Sequence, residues 1–203
     1  MEFTRRNLMA TSLAATLGAS VVGTASAAEV EESDTPGAPS VEGSLKRFST
    51  TAFGAEMTGP FVFADGTPLY SLQHPSRENE APFDKAGVGY ISGFQFDLDG
   101  DNDDFDELSA PQTEDEQRQV RSGNGDYVLL AQEEDEINGG AERLGVAQTP
   151  DGTDITQDNF VGTQYGDAAY NPDCNQFVAT DDGGTEGYLF TNWENSPGNV
   201  SRI

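Results

Sequence analysis

One cysteine, Cys174, and one histidine, His74, are all that this 203-residue chain has of either type. A single thiol excludes an intramolecular disulfide framework and any metal site built from several thiolates. A single imidazole excludes a zinc site built from several histidines. Positive charge is scarce as well: ten Lys and Arg stand against 36 Asp and Glu, a formal net charge of −26 and a pI near 4.1. A protein that grips nucleic acid or an anionic membrane needs a basic face, and this chain has nowhere to build one. Any metal it holds must be bound mainly through oxygen, which selects hard cations, calcium above all. Neither a Gly-x-Ser-x-Gly nucleophile elbow nor a Gly-x-x-x-x-Gly-Lys phosphate loop occurs.

What is present begins with an export signal. Arg5-Arg6 opens the chain, no further charge appears until Glu29, and the intervening Leu, Ala, Val, Gly, Ser and Thr run ends at Ala25-Ser26-Ala27. A positive start, a mild apolar stretch and a small-residue exit make a secretory signal over 1–27, and the paired arginines point to the twin-arginine route. The stretch is too rich in small and hydroxyl residues for a good membrane anchor. The protein is therefore expected outside the cell, with no membrane attachment after cleavage. Without residues 1–27, which carry Arg5, Arg6 and Glu2, 8 bases face 35 acids. An acidic, lysine-poor composition spread along a whole chain marks a salt-adapted protein, because in molar salt the Debye length falls to about 3 Å and self-repulsion is screened.

Residues 28–50 read as an acidic flexible linker without apolar period. From 51 to 203 the chain reads as all-β. Phe61–Phe63 and Leu69–Leu72 flank Asp65-Gly66 as a hairpin, and Gln176–Thr180 and Tyr188–Thr191 flank Asp181–Gly184 as another. Val88–Ile91, Phe94–Phe96, Asp126–Ala131 and Leu144–Ala147 read as further strands. Thr113 with Glu116 has capping-box spacing and predicts one surface helix over 113–122, in which only Val120 is apolar. Twin hairpins of this kind look like the inner strands of β-propeller blades. At about 40–50 residues per blade the chain holds about three or four such units, which leaves a minimal propeller, a sandwich or an incomplete piece of a larger propeller.

Candidate sites are few. Asp97, Asp99, Asp101 and Asp103 alternate through the densest carboxylate run and could turn several oxygens toward one calcium ion. The run is not an EF-hand, since glycine and glutamate are missing at the required offsets, and in a chain this acidic it equally suits a solvated loop. Gln132–Glu136 reads as a second solvated acidic loop. His74, at a strand end, suits a backbone-bonded structural role. Cys174, before a strand, reads as a small buried residue. Asn192 and Glu194 lie at the end of a strand, where a propeller would aim them at its funnel or use them to cap a turn.

Two stretches resemble a known family. Met57–Pro75 is similar to the "TGP-F-DG-TL-QHP" blade motif of secreted alkaline phosphatases of the PhoX type, and Asn175–Ala179 with Gly187–Asn195 resembles that family's "D-F-A … G-L-L-N-H-E-Y" segment, with Trp193 in place of the usual histidine. The resemblance implies a propeller that encloses iron and calcium and hydrolyses phosphate esters after twin-arginine export. In that family a metal-binding cysteine follows the asparagine–glutamate segment; here Cys174 precedes it. The chain is thus expected to be an N-terminal portion of such a phosphatase without a complete active site of its own, its partners being a phosphate ester or the remainder of the propeller. The other reading, from a different class, is a non-catalytic secreted β-module that binds calcium or a partner through unpaired strand edges.

Overall fold

Runs of valine and aromatic residues become strands, and the Asp-Gly pairs between them become turns. The computed structural model describes residues 45–98, 105–155, 170–184 and 186–203. All of these lie in one compact unit, 44–203. Its strands, in chain order, are β1 Ser49–Thr50, β2 Glu56–Val62, β3 Pro68–Gln73, β4 Gly87–Ser92, β5 Arg121–Ser122, β6 Asp126–Gln132, β7 Glu136–Ile137, β8 Glu142–Arg143, β9 Pro172–Ala179, β10 Gly187–Trp193 and β11 Asn199–Arg202. Helix among the described residues amounts to α1, Glu114–Gln117, and a 3-10 turn at Asn138–Gly140. The chain is all-β, and its sheets do not close: β2-β3-β4-β6 form a four-stranded antiparallel sheet and β9-β10-β11 a three-stranded one, while β1-β5 and β7-β8 are two-residue ribbons.

Both hairpin turns form where Asp and Gly place them. Asp65 Oδ1 accepts from Thr67 N at 3.0 Å, a bond that holds the Asp65 carboxyl below its ordinary range. Gly66 has φ +88°, and a Cβ there would press on Phe96 O at 2.1 Å, so no other residue fits. Asp181 Oδ1 accepts from Glu186 N at 2.8 Å in the matching turn between β9 and β10.

Three bulges re-aim the strands. Thr58 pairs with Ser71 but Phe61 with Leu69, so β2 carries an extra residue at Gly59–Pro60. Asn192 pairs with Cys174 but Trp193 with Pro172, so β9 carries one at Asp173. Val88 pairs with Ala131 but Gly89 with Leu129, so Leu130 is extra in β6 and its neighbours turn to opposite faces.

β3 is buried along its whole length. Leu69 packs with Val88 and Leu189 between the two sheets, joined by Phe61, Phe63 and Phe177. On the other face Tyr70, Leu72 and Ile91 pack under Phe48, Phe83, Phe94, Val120 and Tyr127. A third cluster gathers Ala86, Leu144, Tyr170 and Trp193. Each fully buried aliphatic side chain contributes about 1.5–3 kcal/mol.

Several local expectations give way to packing. Phe94–Phe96 is not a strand: Gly93, at φ +83°, turns the chain out of β4, and the rings of Phe94 and Phe96 pack tilted against Phe48, centroids 5.2 and 5.5 Å away. Leu144–Ala147 is not a strand either, because Gly145, at φ +77°, lets the backbone cross the face of Trp193, where a Cβ would lie 2.9 Å from the ring. The capping box forms, with Glu116 N donating to Thr113 Oγ1 at 3.2 Å, but the helix ends after Gln117 rather than reaching 122. A helix with one apolar residue has no stripe to bury; the extended chain instead packs Val120 into the core and pairs Arg121–Ser122 with Ser49–Thr50. Packed structure also begins before residue 51, with Phe48 in the core and Ser49 Oγ 2.8 Å from the Tyr70 hydroxyl.

Candidate functional site

The bulge of β2 rests on the bulge of β9. A Cβ on Gly59 would lie 2.7 Å from Asn175 Nδ2 and 2.9 Å from Asp173 O, so only glycine permits the contact. Asn175 is buried there. Its Nδ2 donates to Gly59 O at 2.9 Å and to Ser71 Oγ at 2.8 Å, and its Oδ1 accepts from Thr191 Oγ1 at 2.9 Å. Thr58 Oγ1 donates across the same seam to Pro172 O. A buried amide so satisfied fixes the two sheets at one register, since any slip would orphan several polar groups.

A second polar network lies near Leu144. Glu133, 2% exposed, is ion-paired with Arg77 and accepts from Ala86 N at 3.1 Å. Burial pushes its carboxyl above the ordinary glutamate range, and Arg77 opposes that shift. Tyr170 Oη donates to Glu134 Oε1 at 2.8 Å, and burial raises the phenol pKa, an effect the Glu134 bond reinforces. Arg143 Nη2 donates to Asp154 Oδ2 at 2.7 Å, while Gln148 Nε2 donates to Asp154 Oδ1 at 2.9 Å; these two partners, Gln148 first, hold Asp154 below its usual range. These carboxylates are engaged by arginines and by N–H and O–H donors. They do not fit the open oxygen cage that calcium or iron would need, and no group of three or more His, Cys, Asp or Glu converges among the described residues.

The residues singled out in the sequence fall in separate places. His74 follows β3 at φ +38°, with Nδ1 3.0 Å from Gly54 O and Nε2 3.6 Å from Glu56 Oε1. Asp97 is exposed after β4, and Asp99, Asp101 and Asp103 lie outside the described residues. Asn192 and Glu194 are exposed, while Trp193 and Asn195 between and beside them are buried. Asn195 Oδ1 accepts from Asn171 N at 3.0 Å and its Nδ2 donates to Gly145 O at 3.2 Å. His74 bonds neither Asn192 nor Glu194. Two readings are corrected. Cys174 is exposed on β9, not buried, because it lies on the outer side of the three-stranded sheet. Glu133 is not a solvated loop residue, because the Arg77 guanidinium and the Ala86 amide compensate its burial. Neither partner is signalled by spacing: Arg77 is 56 and Asn175's Ser71 is 104 positions away from its mate, and only the fold joins them.

A groove of about 670 Å³ is lined by Pro197–Arg202, residues of the β7-β8 ribbon, Val146, Gln148 and Ile155. Comparison with family models, with curated proteins and with solved structures gave no match. The resemblance to PhoX-type phosphatases therefore rests on the two quoted stretches of sequence.

Proposed function

We propose that this chain is an exported blade-forming portion of a metal-dependent phosphatase of the PhoX type, and that it does not complete a phosphoryl-transfer site on its own. The reading is supported by one observation above others. The two stretches that resemble the family, separated by about a hundred residues, form β2-β3 and β9-β10, and Asn175 of the second is hydrogen-bonded to Gly59 and Ser71 of the first. Each stretch belongs to an antiparallel sheet, of four strands in the first case and three in the second, and a propeller is built from blades of four antiparallel strands. Phosphoryl transfer needs cations against the developing charge of the transferred group; in this reading calcium and iron supply it with ligands outside the described residues.

Complementation tests the proposal. The mature chain is mixed, in molar salt with calcium and iron, with a PhoX-type phosphatase from which the matching segment has been deleted. Restored hydrolysis of a phosphomonoester, abolished by chelation, is the expected result. A folded chain that neither associates nor restores activity overturns it. If such a chain nevertheless binds calcium, and loses that binding when Asp99 and Asp101 are replaced by Asn, the non-catalytic calcium module takes its place.

A further inference from the structure

We infer that the outer face of the β9-β10-β11 sheet is a self-association surface, on which a second copy of this chain packs face to face about a two-fold axis. Three observations carry this. The first is exposure. Val178, Tyr188 and Val200 are 47, 46 and 60% exposed on that face. The opposite face of the same sheet is packed, through Leu189 and Trp193, into the core, so the apolar side chains stand on a fixed support. Apolar side chains gathered on one fixed face mark a contact surface.

The second is the order of charge along the face. Cys174 pairs with Asn192 and Asn192 with Val200, so these three form one uncharged row across the strands. Arg202, paired with Phe190, stands one row to one side. Its guanidinium lies 4.8 Å from the centroid of the Tyr188 ring and has no carboxylate partner among the described residues. Glu194 alternates with buried Trp193 and Asn195, so it stands one row to the other side, and exposed Asp173 lies at the same end. A two-fold axis along the uncharged row exchanges the two ends. It sets Arg202 of each copy against Glu194 of the partner subunit, one strand spacing of about 4.8 Å aside. An evenly acidic or evenly basic partner would match one end of the face and be repelled at the other; a second copy matches both.

The third is size set against net charge. Three strands about 4.8 Å apart, the longest of 8 residues at about 3.3 Å each, cover roughly 14 by 26 Å, or roughly 370 Å² on each copy. That area belongs to the small, reversible class of contacts. In dilute buffer the 35 acids and 8 bases of each mature copy drive the copies apart. In molar salt the Debye length of about 3 Å removes that long-range repulsion, while pairs enclosed in the contact are screened much less. Association is therefore switched on by salt.

Sedimentation of the mature chain in molar salt, over a concentration series, tests this. The expected result is a monomer–dimer equilibrium that stops at two copies, as a closed two-fold contact does, and that returns to monomer in dilute buffer. Arg202→Glu or Glu194→Arg alone sets like charges together twice per dimer and should weaken it roughly tenfold. The two exchanged together should restore it to within about threefold of the parent. Both residues are exposed, so circular dichroism should stay unchanged. Cys174 is the only thiol of the chain. A bismaleimide spanning about 10 Å, the usual separation of packed sheets, can therefore join copies only through it, and should yield covalent dimer at the concentrations where the parent associates. Val200→Asp puts a carboxylate against its own counterpart on the axis and should abolish both readouts; if that variant fails to fold, the charge exchange carries the test. A monomer at every salt and protein concentration overturns the inference. So do a dimer indifferent to the single charge reversals, growth beyond two copies, and a Cys174 that reacts slowly with a thiol reagent in the dilute monomer, which would mean that the chain itself covers the face. No phosphate ester or second protein enters the assay, so the result is independent of the phosphatase reading.

Discussion

β3 of the four-stranded sheet is buried from Pro68 to Gln73, whereas β10 of the three-stranded sheet alternates, with Leu189, Thr191 and Trp193 buried and Tyr188 and Asn192 exposed. The first sheet is covered on both faces, by the second sheet on one side and by Phe48, Phe83 and Phe94 on the other. The second sheet is covered on its inner face only; Val178, Tyr188 and Val200 remain 46–60% exposed on the outer one. Free energy of folding is thus concentrated in the first sheet and in the inner face of the second. The outer face of the second contributes little to folding.

Core truncations should separate the two regions most sharply. Trp193→Ala should cost about 3–5 kcal/mol and Leu72→Ala about 2–5 kcal/mol in urea unfolding at molar salt, since both side chains are at most 2% exposed. Equal effects from outer-face truncations would break the comparison. Next comes Arg77→Ala, which strands Glu133 as a buried charge and should cost about 3 kcal/mol at pH near 8. Its sign with pH is fixed by burial. The raised Glu133 pKa means that the folded state binds the proton more tightly than the unfolded chain, so this contribution is present at low pH and is lost as pH rises through the raised value. Removing Arg77 raises that value further. The deficit of the variant should therefore shrink as pH falls toward about 4, read as the difference in unfolding midpoint between variant and parent.

Asn175→Ala should cost about 2 kcal/mol, because Ser71 and Thr191 lose their shared partner in a buried seam; proteolysis should then separate the two sheets earlier than in the parent. The smallest effect is expected from Val178→Ala on the outer face, within about 0.5 kcal/mol. A larger loss there would mean that a partner surface covers the face, sharpening the comparison in favour of association.

Much of this architecture was legible in the sequence, and the reasons are local. Asp65-Gly66 and Asp181–Gly184 specify their hairpins because the aspartate caps the turn and glycine accepts the backbone that the turn requires. Thr113 and Glu116 specify the start of α1 in the same way. Where the helix would end, and whether Phe94–Phe96 and Leu144–Ala147 would pair, depended on distant partners. Phe94 found Phe48, and Gly145 found Trp193.

The candidate site was less legible still. His74, Asn192 and Glu194 were recognisable as polar residues at strand ends, but nothing in their spacing could say that they would stand apart. Asn175 fell just before the strand read at Gln176–Thr180; what made it a keystone was a glycine bulge 116 positions earlier.

By itself the sequence determined the all-β class, the two main hairpins and the strong negative charge, because strand propensity, turn chemistry and charge belong to single residues and their near neighbours. Only the tertiary structure decided which sheet would be covered twice, that Glu133 would be buried beside Arg77, and that the second sheet would keep an exposed outer face. Those outcomes depend on which distant surfaces meet, and burial, hydrogen-bond satisfaction and exposure are properties of that meeting rather than of any stretch of chain.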